Sequence, residues 1–102
     1  MARYAQIVGW GMCVPDRILT NDDLARIVDT SDEWIRTRTG IRERRIVNDE
    51  TETTSSLAVK AARAALEVAD LSPRQLDTII VATVTPDYPF PATACLGHPA
   101  LD

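Results

Sequence analysis

Apolar positions along this chain change rhythm several times, and each change predicts an element. Ala5 to Gly11 (AQIVGWG) is a short β-inclined run closed by glycines and followed by Pro15-Asp16, which predicts a first strand and a turn. Thr20-Asn21-Asp22-Asp23 then has a threonine with an acid three residues on, the signature of a capped helix start, and Leu24, Ile27 and Val28 share one helical face. A second start follows at once. Thr30-Ser31-Asp32-Glu33 repeats the capping pattern ahead of Trp34 and Ile35, with Gly40 as the natural stop. Ile41 to Val47 mixes β-branched residues with arginines and suits an edge strand or a loop, and Asn48 to Glu52 is a polar turn.

From about Thr53 to Ala69 the apolar face widens and becomes rich in alanine (Leu57, Ala58, Ala61, Ala62, Ala65, Leu66, Val68 and Ala69), which predicts a helix packed closely on its neighbours. After Leu71-Ser72-Pro73, the run Thr78 to Thr85 (TIIVATVT) has the nearly continuous β-branched character of a parallel strand buried on both faces. Pro86, Pro89 and Pro91 impose an irregular segment. Ala92 to Leu96 then begins a further helix, expected to be cut short by Gly97 and Pro99. Strand, helices, helix, buried strand and helix start, in that order, open an α/β layered domain. Two strands cannot form a parallel sheet with both faces covered, so the pattern is that of the beginning of something larger.

Composition adds limits. With 102 residues, 45% apolar and 25% charged, the chain falls in the globular class and can hold at most one small core. No apolar run approaches the roughly 20 residues of a membrane helix, and MARYAQIVGWG lacks the features of a signal peptide, so no membrane association and a cytoplasmic location are expected. Cys13 and Cys95 have no metal-ligand spacing; neither a disulfide nor a metal is expected. The net charge of −4 is unevenly spread: Arg36 to Arg45 (RTRTGIRERR) sets five arginines against Glu43 alone. A basic island on an acidic chain suggests a local anion site and argues against nucleic acid, which favours a broad basic face. The plainer alternative is a solvated loop whose arginines pair with Asp32, Glu33 and Glu43.

Trp34 and Arg38 lie four apart, hence on one helical face. An indole beside a guanidinium suits a nucleotide, whose base stacks on the ring while its phosphates take the multi-donor arginine. The competing reading is a core tryptophan beside a solvated arginine. Cys95, with His98 three residues on, has the residue types of a nucleophile and its base, yet no third group orients the histidine and Gly97 and Pro99 disturb the spacing. Cys95 and Cys13 are therefore read as structural, and no catalytic residue is assigned.

The string DTSDEWIRTRTGIRERR, Asp29 to Arg45, closely resembles the segment that marks the β-ketoacyl-acyl-carrier-protein synthase III family. IVGWGMCVPDRILTNDDL before it and IIVATVTPDYPFPATAC after it resemble the same family in the same order. The resemblance implies an α/β, thiolase-like layered fold of two duplicated halves, of which residues 1–102 are a partial N-terminal domain, the opening part of the first half, truncated after about residue 96. It implies acyl transfer from coenzyme A to an enzyme cysteine and decarboxylating condensation with malonyl-acyl carrier protein, at the start of fatty acid biosynthesis, by a homodimer without a cofactor. The positions matching Thr30, Trp34 and Arg38 meet coenzyme A, and that matching Phe90 lies at the dimer boundary beside the acyl pocket. The family's nucleophilic cysteine, histidine and asparagine fall beyond this stretch, so the chain alone is expected to be inactive. Two alternatives stay open: a related initiating condensing enzyme of polyketide or secondary metabolism, and a non-enzymatic remnant.

Overall fold

The computed structural model describes residues 2–48 and 50–101, and the chain divides into two compact units. One comprises residues 14–51; the other combines the described residues of 1–13 and 52–102.

In the 14–51 unit, strand β1 (Arg17–Thr20) pairs antiparallel with β2 (Glu43–Ile46), with Ile18 opposite Arg45 and Leu19 opposite Arg44. β2 settles the ambiguous arginine-rich stretch as a strand. β1 was not foreseen: its partner lies some 25 residues away, and four residues of mixed character announce no strand until that partner is in place. Helix α1 (Asn21–Ala25) starts on the expected capping box of Thr20 and Asp23 but stops after five residues, leaving Ile27 and Val28 exposed where a longer amphipathic helix was expected. Helix α2 (Asp32–Thr39) ends at Gly40, whose φ of 73° is the left-handed C-cap that glycine adopts freely. Its cap is Ser31 rather than Thr30: the Ser31 hydroxyl accepts from the Trp34 N–H at 3.1 Å. Around Asn48 the backbone turns as expected, Thr51 N–H donating to the Asn48 carbonyl at 3.0 Å; Asp49 lies outside the described residues.

The other unit is organised on helix α3 (Thr54–Ala69), capped by Thr53 and closed by Asp70 in the left-handed region at φ 55°. The small side chains of this helix admit backbone directly. A Cβ on Gly9 would stand 2.9 Å from Ala69 Cβ, and one on Gly11 2.7 Å from Ala64 Cβ, so the segment carrying both glycines lies against the helix as no other residues could. Neither this run nor Thr78 to Thr85 forms a strand among the described residues, contrary to expectation. A strand is defined by its ladder, and among the described residues neither segment forms a backbone ladder with a neighbour. After a 3₁₀ turn at Pro73–Gln75 and the proline-rich segment, helix α4 (Thr93–Leu101) packs on α3. It continues through Gly97 and Pro99, which had been expected to stop it. Gly97 lies 3.8 Å (from an ideal Cβ) from Val59, Arg63 donates to the Ala100 carbonyl near the helix end, and Leu101 is buried; these tertiary contacts offset the hydrogen bond that proline removes.

The start of α3 is clamped by Asp87, whose carboxylate accepts from the Ser55 N–H at 2.8 Å and from the Ser55 hydroxyl. These bonds, the hydroxyl first, hold the Asp87 carboxyl below its ordinary value of 3.8, and it shares a helix N-terminus that favours negative charge. The folded pKa lies below the unfolded one, so the contribution is complete above the ordinary value and is lost as pH falls through the folded one. Thermal unfolding should therefore show a midpoint that is flat at neutral pH and drops below about pH 4. Asp87→Asn should lower the neutral midpoint and flatten that acid limb; an unchanged acid limb would remove Asp87 from the account.

Candidate functional site

The 14–51 unit brings Thr30, Trp34 and Arg38 together on and beside α2. Ile35 is the buried residue of this helix and points to the unit's interior, which turns Trp34 outward: it is 54% exposed. The core reading of Trp34 is thus set aside. The Arg38 guanidinium carbon sits 4.7 Å from the centre of the indole ring, a cation–π stack formed by the helical repeat of four. A cavity of about 500 Å³ is lined by Asp29, Thr30, Ser31 and Trp34, and another of about 300 Å³ by Ser31, Glu33, Trp34, Thr37 and Arg38. Trp34 is the wall they share. With Arg38 over one face of the ring, the other face is left for a planar ligand, and the guanidinium keeps donors for an anion beside it.

Most of the rest of the basic island bonds to the unit's own groups. Arg44 donates to the Asn21 side-chain oxygen at 2.9 Å and to the Leu19 carbonyl at 3.4 Å, and Arg45 donates to the Pro15 carbonyl at 3.0 Å. Arg36 meets Asp32 at 3.4 Å, one turn away on α2. The anion-site reading of the island therefore narrows to Arg38 and the exposed Arg42.

What aims α2 is a residue that sequence reasoning passed over. Asn21 is 1% exposed, and its amide donates to Asp32 Oδ1 at 2.9 Å and to the Ile41 carbonyl at 2.7 Å while its oxygen accepts from Arg44. Its backbone N–H donates to the Arg42 carbonyl at 3.1 Å. One side chain thus ties the start of α1, the start of α2, the loop after it and β2. Only its place directly after a helix cap hinted at more than a turn residue.

Phe90 belongs to the other unit and is 88% exposed. In that unit Cys95 is exposed and lines a cavity of about 260 Å³ with Asp77, His98 and Ile79 among others. Asp77 is a possible third group that spacing alone did not reveal. Yet no hydrogen bond joins cysteine, histidine and aspartate among the described residues, so the nucleophile–base contact that covalent catalysis needs is not made. Both cysteines are free thiols, and no metal-binding group of His, Cys, Asp or Glu occurs among the described residues. No helix there is long and apolar enough to cross a membrane.

No family model matches the chain. Individual relatives match nearly all of it. The β-ketoacyl-[acyl-carrier-protein] synthase III of Roseiflexus sp. (strain RS-1) is 65% identical over 95 residues, 93% of this chain and 29% of that protein. The synthase III of Symbiobacterium thermophilum is 62% identical over 99 residues, 97% of this chain and 30% of that protein. Among solved structures, the 3-oxoacyl-[acyl-carrier-protein] synthase III of Aquifex aeolicus superposes with a TM-score of 0.88 at 56% identity, covering 93% of this chain and 30% of that one. The chain corresponds to a segment of β-ketoacyl-acyl-carrier-protein synthase III. Its fold is accordingly part of the thiolase-like α/β fold. A priming β-ketosynthase of a polyketide biosynthetic pathway also superposes, with a TM-score of 0.90 at 35% identity over 97% of this chain and 29% of that one. The chain spans about three-tenths of the length of the synthase III relatives it matches.

Proposed function

We propose that this chain carries the nucleotide end of the coenzyme A site of a β-ketoacyl-acyl-carrier-protein synthase III. The observation that carries the reading is the exposed Trp34 with Arg38 stacked on it, beside Thr30, inside the Asp29 to Arg45 segment that resembles the family. The adenine stacks on the indole face that Arg38 leaves free, Arg38 meets phosphate, and Thr30 lines the approach. Phe90 borders the acyl pocket of a partner subunit in the assembled homodimer. The parent reaction moves an acyl group from the coenzyme A sulfur to an enzyme cysteine, releasing coenzyme A. Malonyl-acyl carrier protein then loses carbon dioxide, and its enolate carbon attacks the acyl thioester, freeing the cysteine and leaving a 3-oxoacyl-acyl carrier protein. That cysteine and the groups that assist decarboxylation belong to the part of the family's chain that this one does not span. Its setting is cytoplasmic fatty acid biosynthesis. Identities above 60% to relatives named β-ketoacyl-[acyl-carrier-protein] synthase III, against 35% to the polyketide priming enzyme, favour the fatty-acid reading over secondary metabolism.

Calorimetric titration of coenzyme A at low and high salt tests this. Trp34→Ala should weaken binding by about 1 to 3 kcal/mol at either salt, as loss of a base-stacking surface does. Arg38→Ala should weaken it in a way that shrinks as salt screens the phosphate attraction. Because Trp34 is outward-facing, its replacement should leave the thermal midpoint of the ligand-free chain nearly unchanged. Unaltered affinity in both variants would exclude α2 as the nucleotide site.

A further inference from the structure

Helices α3 and α4 and residues 79–81 line a cavity of about 140 Å³ within the unit organised on α3. Its wall is mostly apolar, with Val59 and Ala62 from α3, Ile79 and Val81 from the segment before the prolines, and Leu101 from α4. No charged side chain lines it. Two hydroxyls do, those of Ser55 and Thr93, and their situations differ. The Ser55 hydroxyl donates to the Asp87 carboxylate at the start of α3. Thr93, the first residue of α4, is only 5% exposed, and no described group bonds to its Oγ1.

A hydroxyl taken out of water without a partner opposes folding, which is why nearly all such groups in proteins are paired. Helix α4 nonetheless sets this one against the cavity. An ordered water matches it poorly: buried waters make about three hydrogen bonds, and among the lining side chains only Thr93 has a hydroxyl not already donated. An organic molecule fits better. An engineered cavity of about 150 Å³ lined by apolar side chains admits benzene, so the space here has room for a single six-membered ring. The uncharged wall disfavours ions, and Thr93, with one donor and two lone pairs, matches a hydroxyl at the ring's edge.

We propose that this cavity is a binding site for a small neutral molecule with a ring-sized apolar body and one hydroxyl, of the phenol class, and that Thr93 recognises the hydroxyl. Val59, Ile79 and Leu101 pack on the ring. The site is independent of the coenzyme A reading, since none of its residues belongs to the 14–51 unit. Gly97 also lines the cavity and offers a means of closing it. A Cβ there would meet nothing nearer than Val59 Cγ2 at 3.8 Å, an ordinary contact, so a longer side chain at position 97 extends into the space.

The probes are phenol and benzene, titrated into the intact chain and followed by the methyl chemical shifts of Val59, Ile79 and Leu101. Phenol should move these methyls and bind about fivefold more tightly than benzene, the worth of one net hydrogen bond. Thr93→Val replaces the hydroxyl by a methyl of similar shape. It should bring the two rings to equal affinity and leave the ligand-free thermal midpoint equal or higher, because no bond is lost. Gly97→Leu should weaken both rings about tenfold or more by filling the space they need. Should that variant fail to fold, the Thr93→Val comparison still decides. Methyls that stay unmoved by phenol overturn the proposal, as does a preference for phenol that survives Thr93→Val. Loss of phenol binding in Trp34→Ala, with Gly97→Leu unaffected, overturns it too, because the ring then stacks on the exposed indole instead.

Discussion

Asn21→Leu should destabilise the 14–51 unit by about 3 kcal/mol and weaken coenzyme A binding at the proposed nucleotide site, of which residue 21 is not a part. Asn21 is buried and its side chain is matched at both ends: two donated bonds, to Asp32 and Ile41, and one accepted from Arg44. Leucine fills a similar volume but leaves the Ile41 carbonyl, Asp32 and the Arg44 guanidinium facing a hydrocarbon. Each deserted polar group costs about 1 to 3 kcal/mol where water cannot reach it, and those that water reaches cost less. The effect on binding follows from Asp32, the first residue of α2, which the Asn21 amide holds two residues from Trp34. Asn21→Asp separates electrostatics from packing. It keeps the size and the Arg44 contact, but sets a carboxylate against Asp32 and the Ile41 carbonyl, where donors are needed. Its destabilisation should be relieved toward the pH range in which carboxylates protonate, whereas that of Asn21→Leu should not. Chemical denaturation of both variants at pH 7 and pH 4 checks the pair. Equal losses at both pH values would show that the network's charge pattern is immaterial.

Gly11→Val should cost the other unit about 3 kcal/mol or more, with Gly11→Ala at about 1 to 3, the range for forcing atoms into a packed interior. The neighbours of the new Cβ are the Ala61 carbonyl oxygen at 2.5 Å and Ala64 Cβ and the Ala65 nitrogen, both at 2.7 Å, and α3 backbone cannot give way as a long side chain can. The segment must lift off the helix instead, taking Gly9 and Cys13 with it. A second-site change that makes room, Ala64→Gly, removes one of the three obstacles and should recover part of the loss despite its own helix-propensity cost of about 1 kcal/mol. A double-mutant cycle by thermal unfolding measures the coupling. Additive losses would mean that residues 9–13 do not bear on α3 in solution.

Local signals were legible from residues alone because their physics is local. The Thr20–Asp23 capping box, the alanine-rich helix from about Thr53 and the Gly40 stop each rest on contacts between groups within about four residues of one another, and all appear where the pattern placed them. The Trp34–Arg38 pair is of the same kind, since a helix sets residues i and i+4 side by side whatever surrounds it. The family resemblance, too, is carried by a contiguous string. Tertiary structure decided everything that depends on a distant partner. It made β1 out of four unremarkable residues by pairing them with β2, and gave Arg44 and Arg45 partners in Asn21 and backbone carbonyls. It carried α4 past Gly97 and Pro99 on contacts from α3. It also left AQIVGWG and TIIVATVT without ladders, because β-propensity reflects fit to a neighbouring strand and no described residue supplies one.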